Sequence, residues 1–133
     1  MTLRPIAHGT SVVACNTCRR PDGPRGDRPA GAQLVAALRA AQAKDPLYAG
    51  VEVQEMPCLF ACKDSCTIHL RAPGKVGYVL GKFEPDAAAA RAILDYAVQY
   101  HGSEIGQVPY RDWPEGVKGH FLTRTPPEGY VVE

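Results

Sequence analysis

A chain of 133 residues is the size of one ordinary domain, long enough to bury roughly two thirds of the surface its unfolded form exposes. Its 15 basic and 14 acidic residues leave a formal charge of +1, which excludes the electrostatic footprint that nucleic acid or an anionic membrane surface would require. Residues Met1 to Thr10 contain Arg4, Pro5, His8 and Gly9 where a signal peptide needs an unbroken apolar segment, and no stretch is long enough for a membrane span. The expectation is a cytoplasmic protein with no nucleic-acid or membrane partner.

The first predicted element is the short β-branched run Ser11-Val12-Val13-Ala14, a buried strand that ends at Cys15. Residues Arg19 to Gly31 hold too much proline and glycine for either regular element and read as a loop. Leu34, Val35, Leu38 and Ala41 recur at helical spacing, which predicts a helix over Ala32 to Lys44, ending before Pro46. Val51 to Gln54 alternates as a half-buried strand should and runs through Met56 and Pro57 into a second group of cysteines. Thr67 to Arg71 and Val76 to Leu80 flank a Pro73-Gly74 turn, so an antiparallel hairpin is expected. A second helix follows, with Pro85 at its first position, a stripe of Ala89, Ile93, Tyr96 and Tyr100, and Gly102 as its stop. Glu84, Asp86 and Asp95 read as the solvated face of that helix. From Ser103 to Glu133 four prolines preclude a long helix, yet Tyr110, Trp113, Phe121 and Tyr130 argue against disorder. That segment is expected to be an extended arm packed over the domain through Trp113 or Phe121. The organisation is thus a domain over residues 1–102 and an arm over 103–133.

Strand, helix, strand, hairpin and helix in that order describe an α/β fold: a mixed four-stranded sheet with two main helices against it, the thioredoxin-like plan. In such a sheet the first two strands are parallel, so Cys15 and Cys58 converge at one edge although 42 residues separate them.

Five cysteines fall in two groups, Cys15-Asn-Thr-Cys18 and Cys58-Leu-Phe-Ala-Cys62-Lys-Asp-Ser-Cys66, with 39 residues between Cys18 and Cys58. In a reducing compartment such clusters bind metal or perform redox chemistry more often than they form disulfides. A [2Fe-2S] cluster needs four thiolates, one pair for each iron, and Cys15/Cys18 with Cys58/Cys62 meet that need. Arg19, Arg20 and Lys63 stand beside these ligands, where cations tune a cluster's potential, or are solvated loop charges.

Val12-Val13-Ala14-Cys15, then Cys58-Leu59-Phe60-Ala61-Cys62, then an extended segment with Tyr78 resemble the thioredoxin-like [2Fe-2S] ferredoxins and the related small iron-sulfur subunit of respiratory complex I, over about residues 10 to 100. The resemblance implies that Cys15, Cys18, Cys58 and Cys62 hold the cluster. It also implies an electron carrier or metal-binding protein rather than a catalyst, a protein redox partner and, with a loop-borne cluster and a sheet edge to shield, a homodimer. Over its whole length, including Tyr96 to Tyr100, Gly106 to Pro109 and Arg124-Thr-Pro126-Pro127 at its end, the chain is similar to a family of uncharacterised bacterial proteins described as metal-binding. Members of that family are often encoded beside cobalamin-synthesis or metal-chaperone genes, which implies a link to cobalamin or metal metabolism.

Two features depart from the ferredoxin pattern. Only two residues separate Cys15 from Cys18, and Cys66 stands where the relatives usually have proline. Cys66 is a spectator, an alternative ligand or a redox-active thiol. Cys18 is the favoured fourth ligand, because Cys66 begins the next strand and is expected to point away from the strand tip.

Two other functions fit the same cysteines. Two cysteine pairs satisfy tetrahedral zinc, although structural zinc more often stabilises folds too short for a core. Cys15 and Cys18 could also be a thioredoxin-type dithiol, although such a nucleophile is acidified by a helix beginning at its motif, and here prolines and glycines delay the helix. The histidines His8, His69, His101 and His120 are dispersed, with His69 the nearest in sequence to the second cysteine group.

Overall fold

The centre of the sheet is the run read as a buried strand, β1 (Thr10–Cys15), whose six residues are all buried. The computed structural model describes residues 1–19 and 28–133, so Arg20 and most of the proline- and glycine-rich loop lie outside the described residues. After that loop comes α1 (Ala30–Lys44), which buries Leu34, Val35 and Leu38. It ends as expected before Pro46: Asp45 is extended, as a residue preceding proline tends to be, and its carboxylate accepts from the Leu47 N–H at 2.9 Å. The chain then returns as β2 (Val51–Met56), parallel to β1 in the register Thr10 to Val51 through Cys15 to Met56. Antiparallel strands β3 (Ile68–Arg71) and β4 (Gly77–Leu80) form the predicted hairpin, with β3 beside β1.

The second helix, α2 (Ala87–Gly102), starts later than its proline suggested. Asp86 is its N-cap and accepts from the Ala89 N–H at 2.9 Å, which satisfies one of the helix's orphan donors; Pro85 therefore precedes the cap. Glu84 also lies before the helix, and Asp95 accepts the Tyr48 hydroxyl at 2.6 Å instead of only facing solvent. Ile93, Tyr96 and Tyr100 are buried as the stripe required. Both helices cover one face of the sheet, where Val12, Ala14, Ile68, Leu70, Tyr78 and Leu80 join Leu34, Leu38, Ile93 and Tyr96 in one core. The alternate residues of the strands, Ser11, Val13, His69 and Arg71 among them, belong to the other face.

Among the described residues the sheet has five strands where four were expected, in the order β2-β1-β3-β4-β5. The fifth comes from the arm: β5 (Phe121–Thr125) pairs antiparallel with β4. Short 3-10 turns at Tyr110–Asp112 and Glu115–Val117 lead to it. Trp113 and Phe121 pack on the core, with Tyr96 at ring-centroid distances of 5.9 and 5.3 Å. The Trp113 indole N–H donates to the Val108 carbonyl at 2.8 Å. Among the described residues no helix is long and apolar enough to cross a membrane.

Candidate metal centre

Parallel pairing of β1 with β2 brings the two cysteine groups to one edge of the sheet. Cys15 is the last residue of β1 and faces Met56, the last of β2, so Cys58 leaves the sheet two residues beyond the same level. Three backbone hydrogen bonds fix the first loop. Cys15 N–H donates to Thr67 at 3.1 Å, Asn16 N–H to Met56 at 3.0 Å, and Gly31 N–H to Cys18 at 2.9 Å. The last of these seats α1 against the loop, and a β-carbon on Gly31 would lie 1.9 Å from the Cys15 carbonyl oxygen. Only glycine permits that approach.

The second loop turns through left-handed backbone at two residues with side chains, Cys58 at φ 61° and Phe60 at φ 58°. Conformations of this kind cost free energy and cluster at functional sites, where the surroundings enforce them. Their result is that the Phe60 N–H donates to the Cys58 sulfur at 3.3 Å, while the Phe60 ring is 96% exposed. Cys62 then opens a 3-10 turn, Cys62–Asp64. The Ser65 hydroxyl sits between the carbonyls of Cys62 and Arg19, at 2.7 and 2.9 Å, and so joins one cysteine loop to the other.

Four of the five sulfurs belong to this corner. Cys18 Sγ lies 2.8 Å from Cys15 Sγ, and both residues are buried, whereas Cys58 is half-buried and Cys62 exposed. Burial pushes the Cys15 thiol up, but hydrogen bonds from Cys18, from the Thr17 backbone and hydroxyl, and from the Leu59 backbone outweigh it and bring the thiol down to about 7. Cys18 goes the other way. Burial, its bond to Cys15 and the charges of Cys15 and Cys62 push it up to about 12, against a contact with the Thr67 hydroxyl. The Cys62 thiol is raised by the charge of Cys58 first, then by a hydrogen bond with Cys58, and also by Cys15. Cys18 and Cys62 are thus both held toward the protonated thiol by neighbouring sulfurs, while Cys15 is held toward the thiolate.

These sulfurs form two pairs. Among the described residues no three His, Cys, Asp or Glu side chains gather closely enough around one point to hold a single metal ion. Cys66 is fully buried and belongs to the hydrophobic core, its carbonyl accepting from Phe83 N–H at 3.3 Å. Among the described residues no histidine joins the corner: His101 meets Thr10 at 2.7 Å, and His120 meets the Gly81 carbonyl at 2.7 Å while stacked on Phe83. Thr67, Gly31 and Ser65 shape the site without having been singled out in the sequence. Thr67 carried a usable signal, a small hydroxyl residue directly after a cysteine and directly before the strand that neighbours β1.

The sequence profile of a family described as "Protein of unknown function (DUF1636)" matches residues 12–127. None of the curated proteins compared with the chain matches it. Among solved structures, the chain is similar to a thioredoxin-like [2Fe-2S] ferredoxin from Aquifex aeolicus at 17% identity, with a TM-score of 0.58, over 94% of this chain and 100% of that one. A variant of the same ferredoxin with one cysteine changed to serine gives 16% identity and a TM-score of 0.54, over 86% and 98% of the two chains. The fold is therefore thioredoxin-like.

Proposed function

The chain belongs to the DUF1636 family, and from that premise we propose that it is a small [2Fe-2S] protein with an electron-transfer or redox role, its cluster held by Cys15, Cys18, Cys58 and Cys62. The observation that carries this reading is the meeting of two sulfur pairs from the parallel ends of β1 and β2. An all-sulfur donor set in two pairs fits a group that has two irons, each taking two thiolates. The similarity in fold to a protein that binds such a cluster supports it. When bound, a [2Fe-2S] cluster accepts and returns single electrons.

The chain's own residues have definable parts in this. Cys15 and Cys18 supply the buried pair, and Cys58 and Cys62 the outer pair through which electrons would pass to a partner protein. N–H donors such as that of Phe60 on Cys58 stabilise thiolate charge. Lys63, exposed next to Cys62, adds a cation at the outer pair. The protein is an electron carrier rather than a catalyst, works in the cytoplasm and forms a homodimer that shields a sheet edge. A link to cobalamin or metal metabolism rests on the sequence resemblance alone.

A second reading is a dithiol oxidoreductase, favoured by the 2.8 Å approach of Cys18 to the lowered Cys15 thiol. Against it, α1 begins at Ala30 and not at the motif, and the Gly31 N–H of its first turn is given to the Cys18 carbonyl. The deciding experiment is anaerobic purification followed by iron, zinc and sulfide assays and a visible spectrum. About two irons and two sulfides per chain with charge-transfer absorbance are expected. A colourless zinc-loaded protein overturns the proposal, and a metal-free protein that cycles between dithiol and disulfide supports the second reading.

A further inference from the structure

At the end of the sheet opposite the cysteines a cavity of about 570 Å³ opens between the residues preceding β1, the β3–β4 turn and the residues following β5. Its size falls in the range of small-molecule pockets. The floor comes from the sheet face that the helices leave uncovered: Ser11 of β1, His69 and Arg71 of β3, Gly77 of β4 and Thr125 of β5. Ile6, Pro73 and Pro126 give its walls an apolar character.

We propose that this cavity binds a small organic anion, an apolar body with one carboxylate or phosphate head, through the Arg71 guanidinium with His69 and Thr125. Arg71 is preorganised. Its Nε donates to Ser11 Oγ at 3.3 Å and one terminal nitrogen to Gln54 Oε1 at 3.0 Å, which fixes the plane of the fork and leaves its other N–H groups for a ligand. A planar guanidinium held in this way suits two-point recognition of an oxyanion.

The floor is kept open by Gly77. A β-carbon there would lie 3.0 Å from Thr125 Oγ1 and 3.3 Å from His69 Nε2, so the absent side chain is what leaves these two polar atoms uncovered beside each other. The other titratable side chains lining the cavity are His8, Lys75 and Glu128. Lys75 is already engaged, its ammonium donating to the carbonyls of Tyr100 and His101 at 3.2 and 2.5 Å, where it complements the C-terminus of α2. Glu128 opposes an anion at the rim and limits the ligand to a single acidic head.

The test is NMR of the full-length protein, following the His69 ring during titration with benzoate, phenyl phosphate and, as the uncharged control, benzyl alcohol. A saturable shift with benzoate identifies a carboxylate site, one with phenyl phosphate a phosphate-ester site, and both support the proposal. Arg71→Gln should weaken binding about tenfold or more, the loss of one charge-assisted contact. Thr125→Val, on an edge strand where the fold is least at risk, should weaken it severalfold and decides the matter if Arg71→Gln does not fold. No saturable shift with either anion up to about 10 mM overturns the proposal. So does equal binding of benzyl alcohol, or anion binding unchanged in both variants.

Discussion

The Thr67 hydroxyl stands 3.7 Å from the Cys18 sulfur, in a side chain with no exposed surface. The carbonyl of Thr67 holds the Cys15 N–H, so the residue just before β3 contacts both cysteines of the inner pair, one through its backbone and one at its sulfur. Thr67→Val keeps the volume and removes the hydroxyl. It should cost about 1 kcal/mol in denaturant unfolding and raise the Cys18 thiol further, read as slower thiol alkylation at alkaline pH.

Serine substitutions test the ligand set. Cys15→Ser, Cys18→Ser, Cys58→Ser and Cys62→Ser should each abolish or severely shift the visible spectrum. Cys66→Ser should leave the spectrum nearly unchanged and, because the site lies in the core, lower stability by about 1–2 kcal/mol. A normal cluster in Cys18→Ser together with its loss in Cys66→Ser would make Cys66 the fourth ligand.

Gly31→Ala drives a methyl group into the Cys15 carbonyl. Neither the central strand nor the first turn of α1 can move freely, so a loss of about 3 kcal/mol is expected. The corresponding drop in Tm should be accompanied by a disturbed inner pair, visible as a changed Cys15 alkylation rate.

His69 is half-buried, and burial first, then the Arg71 charge, lowers its pKa. The unfolded chain therefore binds this proton more readily than the folded one, and stability falls as pH drops below about 6.5 toward the lower folded value. His69→Gln should flatten the pH dependence of unfolding in that window. An unaltered pH profile would show that the ring is not held neutral.

Trp113 joins Tyr96 and Phe121 in one aromatic group, with centroids 5.9 and 4.5 Å away. Trp113→Ala should cost about 2 kcal/mol and speed proteolytic cleavage within residues 103–133. Cleavage at an unchanged rate would mean that the arm is held without this group.

Most elements were legible because they follow single rules. β1 and β2 read from short β-branched or alternating runs, α1 and α2 from their apolar stripes, and the hairpin from Pro73-Gly74. The meeting of Cys15 and Cys58 followed from parallel pairing alone. β5 was not legible: only Phe121 of its five residues is even half-buried, so an edge strand exposed elsewhere along its length leaves no alternation to read. Pro85 misled because proline just before a helix and proline at its first position look alike until the cap is seen. Thr67 and Gly31 escaped because their importance lies in what they touch across the fold, and neither spacing nor composition records that.

The β5 strand covers the β4 edge of the sheet with residues that follow β4 by some forty positions. On a ribosome the cysteine loops, both helices and β4 are made before it. Until Trp113 and Phe121 emerge, Tyr78 and Tyr96 lack their aromatic cover and β4 offers an unpaired edge to any neighbouring chain. Synthesis arrested in the arm would release a species with all five cysteines present, β4 unpaired and Tyr78 and Tyr96 without Phe121.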